Sequence, residues 1–501
     1  MRKLLLAGAA VLGTTALVQR PAHAQTPPTP QLAAPPMGTL ITPNFGKSAN
    51  DNNNYQAVPL PGPVANPTPG SMVIRLNGLI REEATVEGST GDIVGGNKLA
   101  PYSLGTLLRL YPGVDGMATN GLRWGAQAEI RENFQGQGFA ASPSSSTTSI
   151  IATNAQNSSA TTGNSGLTCA QTLYVRRAFV WVAQDQVGIF RIGQGDGVSG
   201  IFDNGVTTFQ NVGVGLWDGD VPDAVNGNTA TTFPWLSQDG ADYGAVRAVY
   251  LSPQFAGVDL GLSFAPNNGN GGGAYECSNA ATVGCPSLSS SNQVNTSGTP
   301  TDNFRFRNQV EAGLRYQGII GPAAIYAFGD YIGSGVVNYT GPALVGGVTS
   351  GIPVGSKYNG QTQGVTAGFV GAAITIAGFQ FGGAWQGGQY NGTMATTPKG
   401  ASSAQAYLVG FKYTNGPYSI GGAWYGFDSQ GAVQLTGISQ RHENAFGAGG
   451  NWQITPGLQA FFEYIYGTRH QGDFNFVTAS VGKAFNDVKS QALLLGLQVG
   501  W

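Results

Sequence analysis

Over residues 489–501 the side chains part by parity: Leu493, Leu495, Leu497, Val499 and Trp501 fall on one face, and Ala492, Gly496 and Gln498 on the other, with Leu494 the one bulky exception. Period two is the signature of a strand with two different faces. A strand that is apolar on one face, small or polar on the other, and closed by an aromatic residue matches a β-strand crossing a membrane in a barrel. A soluble sheet rarely leaves so bare an apolar edge. The same alternation recurs upstream. Leu122, Trp124, Ala126, Ala128 and Ile130 oppose Arg123, Gln127, Glu129 and Arg131, and Val258, Leu260, Leu262 and Phe264 oppose Asp259 and Ser263. Val310, Ala312, Leu314 and Tyr316 oppose Gln309, Glu311, Arg315 and Gln317, and Leu458, Ala460, Phe462, Tyr464 and Tyr466 oppose Gln459 and Glu463.

The pattern predicts strands near 71–82, 103–111, 121–131, 172–182, 187–193, 242–251, 257–265, 306–316, 322–331, 362–375, 378–389, 404–413, 417–427, 441–453, 457–467 and 489–501, sixteen in all. The links after even strands are short (112–120, 183–186, 252–256, 317–321, 376–377, 414–416 and 454–456). Those after odd strands are long and rich in Gly, Ser, Thr and Asn, notably 132–171, 194–241, 266–305 and 332–361. Outer-membrane barrels have short periplasmic turns and long external loops. The expected fold is therefore all-β: a 16-stranded antiparallel transmembrane β-barrel over residues 71–501, with an inward-folded third long loop and Trp501 at the short-turn interface.

Composition narrows the alternatives. Only 10% of the 501 residues are charged and 78 are Gly, against roughly 25% charged in a soluble domain. No internal apolar run reaches the roughly 18 residues of a membrane helix. The net charge of −2, with no basic arm or stripe, gives no basis for nucleic-acid binding. Residues 1–24 read as a signal peptide: Arg2 and Lys3, an apolar stretch from Leu4 to Val18, then Ala22-His23-Ala24. Residues 25–70 are a Pro-rich periplasmic leader or linker, a tether or, more simply, an unpacked leader. Export brings an oxidising compartment, which makes Cys277 and Cys285 a candidate loop disulfide. Cys169 is then unpaired, or the pairing differs. The three cysteines lack metal-ligand spacing.

A barrel of this size encloses water, and its inner wall sets selectivity. Arg75, Arg123, Arg131, Arg191 and Arg247 are expected to face inward by parity, and Arg109 shares a face with Gly105, Leu107 and Tyr111. In strand 4, Leu173, Val175, Phe179 and Trp181 read as lipid-facing, which puts Arg177 outside at a cost of about 2–4 kcal/mol at mid-membrane, so that Arg177 is near a strand end, at a subunit interface, or on the other face with the parity reversed. Arg176 is then the inward residue. Glu129 joins the lining. The connection 194–241 carries Asp196, Asp203, Asp218, Asp220, Asp223 and Asp239 and no Lys or Arg. Folded into the mouth opposite the arginines, it would set up a transverse field. The plain alternative is a solvated surface loop. Phe202, Phe209, Trp217, Phe233 and Trp235 argue for packing instead.

Other motifs carry less. Gly195-Asp-Gly197-Val-Ser-Gly200 matches a dinucleotide fingerprint, but the residues from Ile201 show no helical period. Asp218-Gly-Asp220-Val-Pro-Asp223 lacks the closing Glu of a calcium loop. His442-Glu443 lacks the second His of a zinc-protease motif, and no cofactor is implied.

The signal peptide, sixteen alternating strands, terminal aromatic and acidic third loop together resemble the Gram-negative outer-membrane general porins. Residues 108–125, 129–134 and 190–196 look like porins of alphaproteobacteria, of the acetic-acid-bacterium group. The resemblance covers residues 71–501. It implies a homotrimer in outer-membrane lipid, with the first and last strands near the subunit interface. It also implies an eyelet in which Asp218, Asp220 and Asp223 face Arg75, Arg123 and Arg131. Trp501 stands where Phe is commoner, and would carry recognition by the barrel-assembly machinery. The expected function is passive diffusion of small hydrophilic solutes and ions, without catalysis. The alternatives are a carbohydrate-selective porin, favoured by aromatic platforms in the lumen, and a surface adhesin or structural barrel. Replacing Asp218, Asp220 and Asp223 together by Asn is expected to weaken cation preference, read as a shift of reversal potential in a salt gradient.

Overall fold

Each stretch with the period-two pattern forms a strand of a single sheet, and that sheet closes on itself in the computed structural model of the chain. Residues 67–94, 97–98, 100–133, 174–203, 229–232, 234–238, 245–268, 306–336, 362–390, 397–398, 400–431, 440–478 and 480–501 are described. The signal peptide, the leader up to residue 66 and all three cysteines lie outside them.

The barrel strands are β1 (Ser71–Ser89), β2 (Tyr102–Met117), β3 (Arg123–Asn133), β4 (Tyr174–Gln184), β5 (Gly188–Gln194), β6 (Val246–Leu251), β7 (Val258–Asn268) and β8 (Phe306–Ile320). They continue with β9 (Ala323–Val336), β10 (Thr366–Ile376), β11 (Phe379–Gln389), β12 (Ala404–Asn415), β13 (Tyr418–Ser429), β14 (Arg441–Thr455), β15 (Leu458–Gln471) and β16 (Asp487–Gly500). Each pairs antiparallel with its neighbours in sequence, and β16 returns to β1 from Leu79↔Gly500 to Ser89↔Ser490. Past that register, Gly78 N donates to the Trp501 carbonyl at 3.2 Å and Trp501 N to the Gly78 carbonyl at 3.0 Å. A Cβ on Gly78 would lie 2.5 Å from the Trp501 ring, so the glycine leaves the space in which the indole rests.

Burial divides the two faces. On β12, Val409 and Phe411 are exposed while Ala406, Leu408 and Lys412 are buried; on β16, Leu493, Leu495, Leu497 and Val499 are exposed while Ala492, Leu494 and Gln498 are buried. The outer face is thus apolar, and the enclosed face holds arginines, carboxylates and amides. The exposed apolar side chains suit hydrocarbon, and the closed ladder leaves few backbone groups to satisfy there.

Three elements differ from expectation. β2 runs on through Pro112, which was expected to start a turn. Its ladder to β3 passes from Leu110↔Ile130 to Gly113↔Gln127, while the ladder to β1 continues through Leu76↔Pro112. A proline has no N–H to give, so it sits where one of the two ladders lapses. Thr362–Gln363 is not part of β10 but pairs with Thr397–Pro398. In β4, Phe179 and Trp181 are enclosed and Val180 and Val182 exposed, the reverse of the expected parity. The cause is a bulge: Glu129 pairs with Arg177, yet Ile130 pairs with Val175. The extra residue, Arg176, shifts the alternation by one. Val175 stays outward, as expected, and Arg177 turns inward.

Val409 lies at the middle of β12 with its side chain 57% exposed. Val409→Arg is expected to destabilise the barrel by about 2–4 kcal/mol, and Val409→Leu to be near neutral. Reversible urea unfolding in lipid vesicles measures both.

Candidate functional site

The enclosed faces of β1 to β6 bring the arginines together. The bulge in β4 points both Arg176 and Arg177 at Glu129 of β3. Glu129 Oε1 accepts from Arg131 and from Arg176 Nη1, the latter at 3.4 Å, and its Oε2 accepts from Arg177. Arg109 of β2 lies directly across from Arg131 in the ladder and is likewise buried. One carboxylate thus serves three guanidinium groups with a fourth alongside. Like charges set side by side need such a counterion, since burial strips away the water that would screen them. Arg75 grips Asp115 with two bonds, Nε to Oδ2 at 2.6 Å and Nη2 to Oδ1 at 3.2 Å. Arg123 stands 3.8 Å from Asp185 of the turn after β4.

The connection after β5 is tied to this wall at once. Arg177 binds both carboxylate oxygens of Asp196, Nη2 reaching Oδ1 at 2.6 Å. Arg191 donates to the Asp196 carbonyl. A short helix follows, α1 (Val198–Asp203), every residue of which is buried. The sequence showed no helical period from Ile201 onward, and one short turn of helix is too brief to establish one. Ser199 N donates to Glu311 Oε2 of β8 at 3.0 Å, and Ser199 Oγ donates to Asp330 of β9. Glu311 also pairs with Arg247 of β6. The glycine motif therefore closes a connection onto a carboxylate of the wall, which leaves no cradle for a dinucleotide phosphate. Gly261 of β7 is the bed for the helix: a Cβ there would come within 2.8 Å of Phe202 and Val198. Tyr326 donates to the Phe202 carbonyl, and the Arg315 guanidinium, paired with Asp259, lies 4.5 Å from the Phe202 ring centre.

Farther along, residues 231–232 and 234–238 bind the opposite strands. Thr232 N and Oγ1 donate to Glu443 of β14 at 2.6 and 3.1 Å, and Tyr425 OH of β13 donates to the Thr232 carbonyl at 2.9 Å. Leu236 N donates to Gln386 Oε1 of β11 at 3.0 Å, and Gln386 Nε2 returns a bond to the Pro234 carbonyl at 2.9 Å. Asp203 accepts from Ser237 Oγ at 2.8 Å, which links the helix to this second stretch. Trp235 stacks on Phe369 of β10 at 5.6 Å, and Phe328 meets Phe369 edge-on at 4.8 Å. These aromatics are packed against one another and the connection, so their faces are taken.

Of the residues singled out by sequence, Arg75, Arg109, Arg123, Glu129, Arg131, Arg176, Arg191, Arg247, Asp196 and Asp203 all lie on the enclosed side or in the connection bound to it. Asp196 is held by Arg177, and Asp203 by Ser237, so neither is an isolated charge. Asp218, Asp220 and Asp223, with Phe209, Trp217 and Phe233, fall outside the described residues. Arg177 was assigned to the wrong face for want of the bulge. Arg469 and Asp330 were not singled out, and Glu443 and Ser199 were read only as parts of a zinc-protease-like and a glycine motif; parity along β14, β15 and β9 was the available signal for Glu443, Arg469 and Asp330. Among the described residues, no group of three or more His, Cys, Asp or Glu is placed to hold a metal ion.

A family profile described as "Gram-negative porin" matches residues 86–471. No curated protein matches the chain in sequence. Among solved structures, an anion-selective porin from Comamonas acidovorans is 13% identical with a TM-score of 0.51, over 86% of this chain and 100% of that one. OmpT of Vibrio cholerae, in a trimer form, is 13% identical with a TM-score of 0.44, over 86% and 100%. A variant of the Rh. blastica porin is 14% identical with a TM-score of 0.42, over 86% and 100%. At 13% identity the likeness to the Comamonas acidovorans porin is one of fold.

Glu311→Ala takes from Arg247 its carboxylate and from Ser199 its acceptor. We expect a loss of about 3–5 kcal/mol, as when one member of a buried pair is removed. Glu311→Gln keeps an acceptor and is expected to cost less. Urea unfolding ranks the two, and limited proteolysis of the connection should follow the same order.

Proposed function

The chain belongs to the Gram-negative porin family, and we propose accordingly that its barrel is a water-filled outer-membrane channel for passive diffusion of small hydrophilic solutes and ions, narrowed by the connection between β5 and β6. The observation that carries this reading is the fixing of that connection to enclosed side chains on both sides: Arg177, Arg191 and Glu311 near its start, Gln386, Tyr425 and Glu443 near its end. A segment so bound reduces the free cross-section and sets charge at the narrowing. The arginine-rich side, β1 to β6, and the carboxylates of the connection then govern which solutes pass, through charge and hydration.

Transport by this route needs a gradient and no cofactor. The functional unit in this reading is a homotrimer in outer-membrane lipid, with β1 and β16 near the subunit contact, reached after signal cleavage and insertion by the assembly machinery through Trp501. Family membership supports these steps. The packed state of Trp235, Phe328 and Phe369 supports seating of the connection, and so favours simple diffusion over a sugar-stacking path.

The test is conductance of the purified full chain in planar bilayers. Stepwise ohmic current proportional to bulk conductivity is expected, without saturation by sugars. Absence of current from folded protein would reject the channel and return the adhesin reading.

A further inference from the structure

The chain has three histidines, and two of them meet across a pair of strands. His442 of β14 and His470 of β15 are direct register partners. The row extends on both sides, with Asp428 of β13 opposite His442 and Asp487 of β16 opposite His470. Asp, His, His and Asp thus stand in line over four adjacent strands. Their parity is that of Trp424, Phe446, Phe462 and Leu493, which are exposed on the outer face. The row lies at the end of the barrel where the long connections enter β14 and leave β15.

The bonds within the row are the same on each side. His442 Nδ1 donates to Asp428 Oδ1 at 2.5 Å, and His470 Nδ1 donates to Asp487 Oδ1 at 2.7 Å. An ionised carboxylate only accepts, so in the neutral imidazole each Nδ1 carries the proton and each Nε2 is left with its lone pair. The two histidine side chains are 52% and 46% exposed. Directly opposed residues of an antiparallel pair have Cβ atoms about 4.5–5.5 Å apart, a separation one ion can bridge. A carboxylate behind an imidazole fixes its tautomer and ring orientation, the arrangement that supports metal-ligating histidines.

We propose that His442 and His470 form a surface site for one divalent late-transition-metal ion of the Cu2+, Ni2+ or Zn2+ class, bound through the two Nε2 atoms and oriented by Asp428 and Asp487. Imidazole nitrogen favours those ions over Mg2+ and Ca2+. The pair has no third protein ligand among the described residues, so the site is open and its remaining positions go to water or to oxygen ligands from outside. It stands apart from the lumen and does not rest on the channel reading.

The test uses full-length protein without a histidine tag, stripped by chelator, in detergent micelles, titrated with CuCl2 and followed by electron paramagnetic resonance. One Cu2+ per chain is expected to show coupling to two imidazole nitrogens, with binding lost as the pH falls and protons compete. Asp428→Asn is expected to lower affinity about tenfold or more. His442→Gln and His470→Gln should each lower it further, and the double variant should add little because either change already breaks the chelate. Circular dichroism confirms that each variant keeps its β-structure. A wild-type signal without two-nitrogen coupling, or equal copper affinity in the folded histidine variants, overturns the proposal; the wild-type spectrum decides even where a variant fails to fold.

Discussion

A strand in hydrocarbon has nowhere to place an unpaired N–H or C=O, and each such group costs several kcal/mol. That demand shapes the whole chain. Sixteen strands satisfy one another laterally, and the arrangement is complete only when β16 meets β1. The contact that closes the ring extends to the Gly78–Trp501 pair, where two backbone bonds and a ring over a glycine finish the seam. Once the ring is closed, the two faces of every strand acquire separate environments, and the division of side chains into apolar and polar follows.

The enclosed face is not uniform. From β1 to β6 it is dominated by guanidinium groups, most of them beside a carboxylate; from β9 to β13 it is largely apolar and aromatic. The connection after β5 uses both surfaces. Its first part binds charge with charge, through Asp196 and the Ser199 backbone; its later part rests Trp235 on Phe369 and uses amide and carboxylate groups for its backbone. Specific polar bonds fix orientation here, while the aromatic contact supplies area removed from water.

Much of this was legible in the chain. Period two located all sixteen strands, because membrane strands must alternate to satisfy lipid and water at once. It also placed Arg75, Arg123, Arg131 and Glu129 on the inner face. Features that depend on pairing rather than on alternation were not readable. Asp259 meets Arg315, and Glu311 meets Arg247, through registers that no single strand encodes. Pro112 read as a turn because one lapsed ladder cannot be seen from sequence. The six-residue helix α1 is shorter than the span over which a helical period can be recognised, and its stability comes from wall contacts. In β4, Phe179 and Trp181 read as lipid-facing side chains although they lie on the enclosed face, and this hid the change of parity.

That change has a meaning beyond one misplaced side chain. A regular strand delivers one inward side chain about every 6.8 Å, twice the rise per residue. At Arg176 and Arg177 the irregular pairing delivers two in succession, so the linear density of cationic groups locally exceeds what regular pleating permits. Removing or inserting one residue there would cut that density and also rotate the outer remainder of β4 relative to hydrocarbon. The placement of charge in the lumen and the fit of the strand to the bilayer are therefore inherited together, and neither is free to drift alone.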